Sequence, residues 1–163
     1  MDMRYVMQKK LFSLGSDYYI RDEEGRDVYF VDGKALSLRD QLSFQDLEKK
    51  ELALIQEKVL SWGPTYEIYR SGALFAVVKK HLFKPFHHRF SVDLTGPDDL
   101  EAEGTLLNHE YTFKRGERAV AEVSKKWFSI PHTYGVEISP GQDDVLILAS
   151  TVVIDAACHH SGH

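Results

Sequence analysis

The chain has 163 residues, 43% hydrophobic, 28% charged and 12% aromatic, which suits one domain with a substantial core and excludes disordered and fibrous classes. Its 20 lysines and arginines face 25 acids, and a net charge of −5 argues against a general nucleic-acid binder, which needs cations to neutralise phosphates. The single cysteine, Cys158, excludes an intramolecular disulfide and a cysteine-rich zinc module. At the N-terminus, Lys9 and Lys10 interrupt any apolar stretch before it reaches signal-peptide length, so a cytoplasmic address is expected. From there to residue 138, short apolar segments alternate with turn signals. Val28-Tyr29-Phe30-Val31, Tyr66-Glu67-Ile68-Tyr69, Phe90-Ser91-Val92-Asp93-Leu94 and Tyr134-Gly135-Val136-Glu137-Ile138 have the period of a strand. Between them fall Glu24-Gly25, Asp32-Gly33, Gly63-Pro64, Ser71-Gly72, Gly96-Pro97 and Arg115-Gly116. Glu48-Lys49-Lys50 reads as a turn and residues 52–58 as a strand, although both contain good helix formers. The pattern is that of a sandwich or barrel, and no linker divides it.

An internal repeat supports strand hairpins. Residues 66–83 lie over residues 111–128 without a gap, matching Tyr66 to Tyr111, Arg70 to Arg115, Ala76 to Ala121, Val78 to Val123 and Lys80 to Lys125. A weaker third copy sets Ala53 and Ile55 over Ala76 and Val78. Each small Ala shares a strand face with the branched residue two positions on. Repeated hairpins with one apolar face must close on something, and a barrel removes their exposed edges. After Pro140-Gly141 and Asp143-Asp144 comes the apolar run of residues 145–154, continuing to Cys158. As a helix it is apolar nearly all round and so buried on every side, with Asp143 or Asp144 as its N-cap. Its β-branched residues argue equally for a buried strand, and periodicity leaves the two readings open. Residues 145–158 are too short for a membrane-spanning helix.

Several segments carry a family resemblance. Leu60-Ser61-Trp62-Gly63-Pro64-Thr65-Tyr66-Glu67-Ile68-Tyr69, Phe75-Ala76-Val77-Val78-Lys79-Lys80, Phe12-Ser13-Leu14-Gly15, Tyr19-Ile20-Arg21-Asp22 with Gly25, and the aspartate-led C-terminal run resemble the LURP-one-related family, and small bacterial members in particular. That family is grouped with tubby C-terminal-like proteins and phospholipid scramblases. The resemblance covers essentially the whole chain and implies a closed antiparallel barrel of about twelve strands around a central hydrophobic helix. Residues 1–163 would then be one domain, with the helix at about 143–158 and a short tail at 159–163. It implies no reaction, and a filled barrel leaves ligand sites to the rim or outer wall.

The most distinctive chemistry lies in residues 79–89, where Lys79, Lys80, His81, Lys84, His87, His88 and Arg89 occur without an acid and with Phe83, Phe86 and Phe90 interleaved. Cations attract phosphate and aromatics enter a lipid interface, so Lys79, Lys80, Lys84 and Arg89, joined by Lys125 and Lys126 from the repeat, are candidates for binding an anionic headgroup or another phosphate-bearing ligand. The plainer reading is a solvated loop with its aromatics turned inward. A partner protein held through Trp62 or Trp127 is the alternative function. Asp22-Glu23-Glu24 with Asp27, and Asp98-Asp99, lack the spacing of a calcium loop and read as turn residues. The tail Cys158-His159-His160 with His163 has metal-binding side chains, but no physiological metal site and no cofactor are expected. Asp155 needs an Arg or Lys from the wall if the helix is central. No catalytic motif appears, and a non-enzymatic role is expected.

Overall fold

A computed structural model describes residues 2–12, 15–33, 41–58, 65–84, 87–96, 98–105, 110–126 and 129–159, excluding the side chains of residues 11, 12, 15, 82–84, 87, 88 and 159. Twelve strands run in chain order as β1 (Met3–Phe12), β2 (Gly15–Asp22), β3 (Asp27–Asp32), β4 (Gln41–Asp46), β5 (Glu51–Lys58), β6 (Thr65–Arg70), β7 (Ala73–Lys84), β8 (His87–Leu94), β9 (Leu100–Thr105), β10 (Glu110–Arg115), β11 (Arg118–Ser124) and β12 (Thr133–Ile138), followed by helix α1 (Asp144–His159). Each strand pairs antiparallel with its neighbours in sequence, and β1 pairs with β12 to close the barrel. The turns β2–β3, β4–β5, β6–β7, β8–β9 and β10–β11, with the start of α1, gather at one end, here the lower end. The end of β1 with the start of β2, the end of β7 with the start of β8, the end of β11 and the end of α1 lie at the upper end.

Alternation decides which side chains enter the lumen. Met7, Ile20, Val31, Phe44, Ile55, Ile68, Val78, Val92, Phe113, Val123 and Val136 are buried there. Four hairpins share one irregularity. The incoming strand carries an extra residue skipped by the register: Val28, Leu52, Phe75 and Val120. All four are apolar and pack on the core, so these bulges add curvature and fill the lumen beside the lower turns. The repeat therefore extends to β2–β3, further than the sequence comparison reached. Even the turns match. The Asp22 side chain accepts the amides of Glu24 and Arg26, and Asp46 accepts those of Glu48 and Lys50. Lys49 takes the left-handed φ of 65° that Gly25 holds at 81°. The segment 48–50 is thus a turn, with β5 running to Lys58.

α1 fills the barrel. Asp143 caps it, its carboxylate accepting the Leu146 amide at 3.1 Å while also pairing with Arg70 from the β6–β7 turn. The helix runs 16 residues, and nearly every side chain after its first turn is buried. A strand cannot sit there, because a closed wall has already used its backbone groups in its own ladders. A helix satisfies its amides internally and needs only apolar surroundings. α1 approaches β5, β7 and β12 most closely. On β5 and β7 the small Ala53 and Ala76 face it, which gives the repeated alanine a packing role.

A basic upper rim above a buried polar layer

The sequence-derived basic residues divide by strand direction. Lys79 faces outward on β7 and lies 3.5 Å from the Asp93 carboxylate; Arg89 faces outward on β8 and lies 3.7 Å from that of Glu101. With Lys114 and Glu103 at 3.6 Å they form a wall of alternating charge across β7 to β10. Lys80 pairs in register with the buried Phe90 and so faces the lumen. There its ammonium lies close enough to Cys158 to favour the thiolate, and it complements the negative end of the helix dipole. His81 Nε2 is 2.9 Å from Ser91 Oγ. Lys84 closes β7, and its side chain, like those of Phe83, His87 and His88, lies outside the described residues, as do Phe86, Trp62 and Trp127.

Lys125 and Lys126 are exposed just past β11. Their backbone amides both donate to Glu110 Oε1, at 2.9 and 3.0 Å, and the Ser124 hydroxyl donates to the same carboxylate. Their ammonium groups have no acidic partner among the described residues. Since β7 and β11 both run toward the upper end, the topology sets Lys84, Lys125 and Lys126 on the same rim.

Below the rim lies a polar layer that only Asp155 announced in the sequence. Asp155 is 2% exposed, and its Oδ2 accepts the Tyr18 hydroxyl at 2.6 Å and lies 3.0 Å from Lys9 Nζ. The expected basic partner from the wall is therefore Lys9, on β1. Burial first, and the Asp155 charge second, hold the hydroxyls of Tyr18, Tyr111 and Tyr134 well above their ordinary pKa. The repeat contained the signal. Tyr18, Tyr66 and Tyr111 stand opposite Val31, Val78 and Val123 in corresponding hairpins. Tyr18 was missed because the match at β2–β3 is too weak to see without the register.

The acidic turns serve as turns. Asp22 binds its own loop and Arg26, and Asp99 accepts the Leu94 amide at 2.8 Å. Among the described residues no group of three His, Cys, Asp or Glu side chains is placed to hold a metal. Cys158 belongs to α1, and burial pushes its thiol up to about 11. At pH 8 such a thiol is about 0.1% thiolate. Iodoacetamide is expected to label the folded chain at least about a hundredfold more slowly than the urea-unfolded chain, as read by intact mass. Equal rates would mean that the end of α1 opens freely.

A concavity lies at the lower end of the wall, away from the rim. It is a groove of about 360 Å³ between β1 and β12, lined by Arg4, Val6, Gly135 and Glu137, with Glu23 from the β2–β3 turn. It contains none of the basic residues singled out above.

The family profile described as LURP-one-related matches residues 3–155, all twelve strands and most of α1. The chain belongs to the LURP-one-related family. A relative in Bacillus subtilis (strain 168), the uncharacterised protein YxjI, is 31% identical to it over 156 residues, covering 94% of this chain and 93% of that one. An X-ray structure of the Arabidopsis thaliana protein AT5G01750 superposes with a TM-score of 0.68 at 19% identity, covering 93% of this chain and 90% of that one. At that identity the likeness concerns the fold alone. In this LURP-one-related chain no helix among the described residues is long and apolar enough to cross a membrane.

Proposed function

We propose that this LURP-one-related protein is a non-enzymatic module that binds a phosphate-bearing anion at its upper rim, as a phospholipid headgroup or as a free phosphate ester. The observation that carries this reading is the Lys125-Lys126 pair, held in place by Glu110 through its backbone and leaving both ammonium groups without an acidic partner among the described residues. Lys84, at the end of β7, joins them by strand direction. This reading leaves Lys79 and Arg89 out of the ligand set because they lie beside Asp93 and Glu101, and Lys80 because it faces the lumen. In the lipid case the protein works in the cytoplasm as a peripheral visitor to an anionic membrane face.

The test is sedimentation with neutral and acidic vesicles at low and high salt. Acidic vesicles are expected to retain the protein at low salt only. Each rim lysine near the surface contributes about 1 kcal/mol. The triple change Lys84→Glu, Lys125→Glu, Lys126→Glu is therefore expected to weaken binding on the order of a hundredfold or more. Lys79→Gln with Arg89→Gln should change it less than about threefold, because exposed paired charges contribute little. Binding of inositol phosphate without vesicle binding would assign a soluble ligand. Binding of neither, or a rim variant equal to the parent, sinks the reading and shifts the weight to a protein-partner adaptor.

A further inference from the structure

The buried polar layer poses a problem of specificity. After Asp144 and Val145, α1 presents Leu146, Ile147, Leu148, Ala149, Val152, Val153 and Ile154, and these cover every side of the helix. Apolar burial has no direction, so rotating such a helix, or sliding it by one turn of about 5.4 Å, keeps most of the buried area. Something other than hydrophobicity must choose the placement.

Asp143, paired with Arg70, ties the start of α1 to the lower turn, and two carboxylates within the helix fix its face. Asp144 and Asp155 are eleven positions apart, about three helical turns, and therefore lie on one face. Both meet the β1–β2 side of the barrel. Asp144 Oδ2 accepts the Tyr5 hydroxyl at 2.6 Å, and Asp155 Oδ2 takes Tyr18 and Lys9. Tyr5 and Lys9 are four positions apart on β1, hence on the same inward face, and β1 runs parallel to α1 from the lower to the upper end. The two contacts differ in consequence. Tyr5 is buried, but Asp144 is partly exposed near the lower mouth, so its carboxylate can turn to water when the bond is lost. Lys9 and Asp155 have side chains 6% and 2% exposed. Any rotation or slide of α1 would separate them and leave two buried charges unpaired.

We infer that the Lys9–Asp155 ion pair is a register lock, selecting one placement of α1 in the barrel while adding little net stability, with Tyr18 only as its hydrogen-bonded neighbour. A buried ion pair loses in desolvation much of what it gains by attraction, so the correct placement gains little. Every wrong placement keeps the desolvation cost and loses the attraction. The penalty on misplacement is the function of the layer, and the rim proposal does not depend on it.

The deciding variant is the double replacement Lys9→Met with Asp155→Leu, which puts apolar side chains of similar size where the charges were. Its folding equilibrium constant, from urea unfolding, is expected within about tenfold of the parent or higher. Its α1 amide resonances and the ring signals of Tyr18, Tyr111 and Tyr134 are expected to split or broaden. Amide exchange in residues 150–157 should accelerate at least about tenfold relative to the strands. Asp155→Leu alone leaves Lys9 buried without its partner, and is expected to lower the folding constant about a thousandfold. Tyr18→Phe keeps the ring and the ion pair, and should lower the constant about tenfold or more while one set of signals remains. A double variant with one sharp signal set and parental exchange would overturn the lock. So would a double variant as unstable as Asp155→Leu, or a split signal set in Tyr18→Phe.

Discussion

Leu148→Asp is expected to abolish folding, whereas Ile130→Asp is expected to leave the protein as stable as the parent. Leu148 lies mid-helix with no exposed surface, surrounded by the lumen side chains of the strands. A carboxylate there has none of the donors that Asp155 enjoys, and burying it unpaired costs about 4 kcal/mol or more, even after neutralisation by protonation. That is comparable with the whole stability of an ordinary domain, roughly 5–15 kcal/mol. The loss also spreads. If α1 leaves, the inner faces of twelve strands are exposed to water at once, so the wall has no core of its own to fall back on. Ile130 is 57% exposed, and a charge there should shift stability by no more than about 0.5 kcal/mol. Far-UV circular dichroism and urea titration of both variants check the pair. A folded Leu148→Asp protein of parental stability would mean that α1 is not the barrel's core.

Gly104→Ala is the second large effect, with an expected loss of about 2–4 kcal/mol in urea unfolding. Gly104 has φ of +143°, which side-chain-bearing residues rarely adopt. A Cβ placed there would stand 2.5 Å from the Glu110 carbonyl oxygen and 2.7 Å from Tyr111 Cα, both backbone atoms that cannot swing aside. Gly104 pairs in register with Tyr111, so the displacement would be passed into the polar layer and into the strand whose Glu110 holds the rim lysines. The same variant should therefore lose affinity for acidic vesicles as well as stability. Gly96→Ala is the matched control, since nothing lies within 4 Å of its Cβ, and it should change stability by less than about 0.5 kcal/mol. A parental unfolding midpoint for Gly104→Ala would show that the close approach of β9 to β10 is not required.

The rim and the layer differ in how far they could be read before folding. A run of cations without acids, such as residues 79–89, is visible in one dimension, but its meaning depends on which way each side chain points. Period two sends Lys79 out and Lys80 in. Asp93, Glu101 and Glu103, which neutralise the outer wall, come from the following strands and are invisible to any inspection of the segment itself. The need for a cation beside Asp155 was legible from burial alone. Its identity was not, because Lys9 lies near the other end of the chain and becomes a neighbour only when β1 closes the barrel against β12.

By itself the sequence determined the all-β wall, the turn at 48–50, the hairpin repeat, and the Asp143 or Asp144 start of the C-terminal segment, because alternation, turn residues and capping act over a few neighbouring positions. Its family likeness extended that to a closed barrel of twelve strands. That likeness also implied a helix at about residues 143–158, and only the tertiary structure shows the physical ground on which residues 144–159 form one. Their apolar and β-branched content suits a strand as well, and the choice rests on whether backbone partners are at hand. Closing the barrel consumes every strand partner in the wall, and a segment enclosed by it must satisfy its own amides. The same closure brings Lys9 to Asp155 and separates the cations of residues 79–89 into wall, lumen and rim.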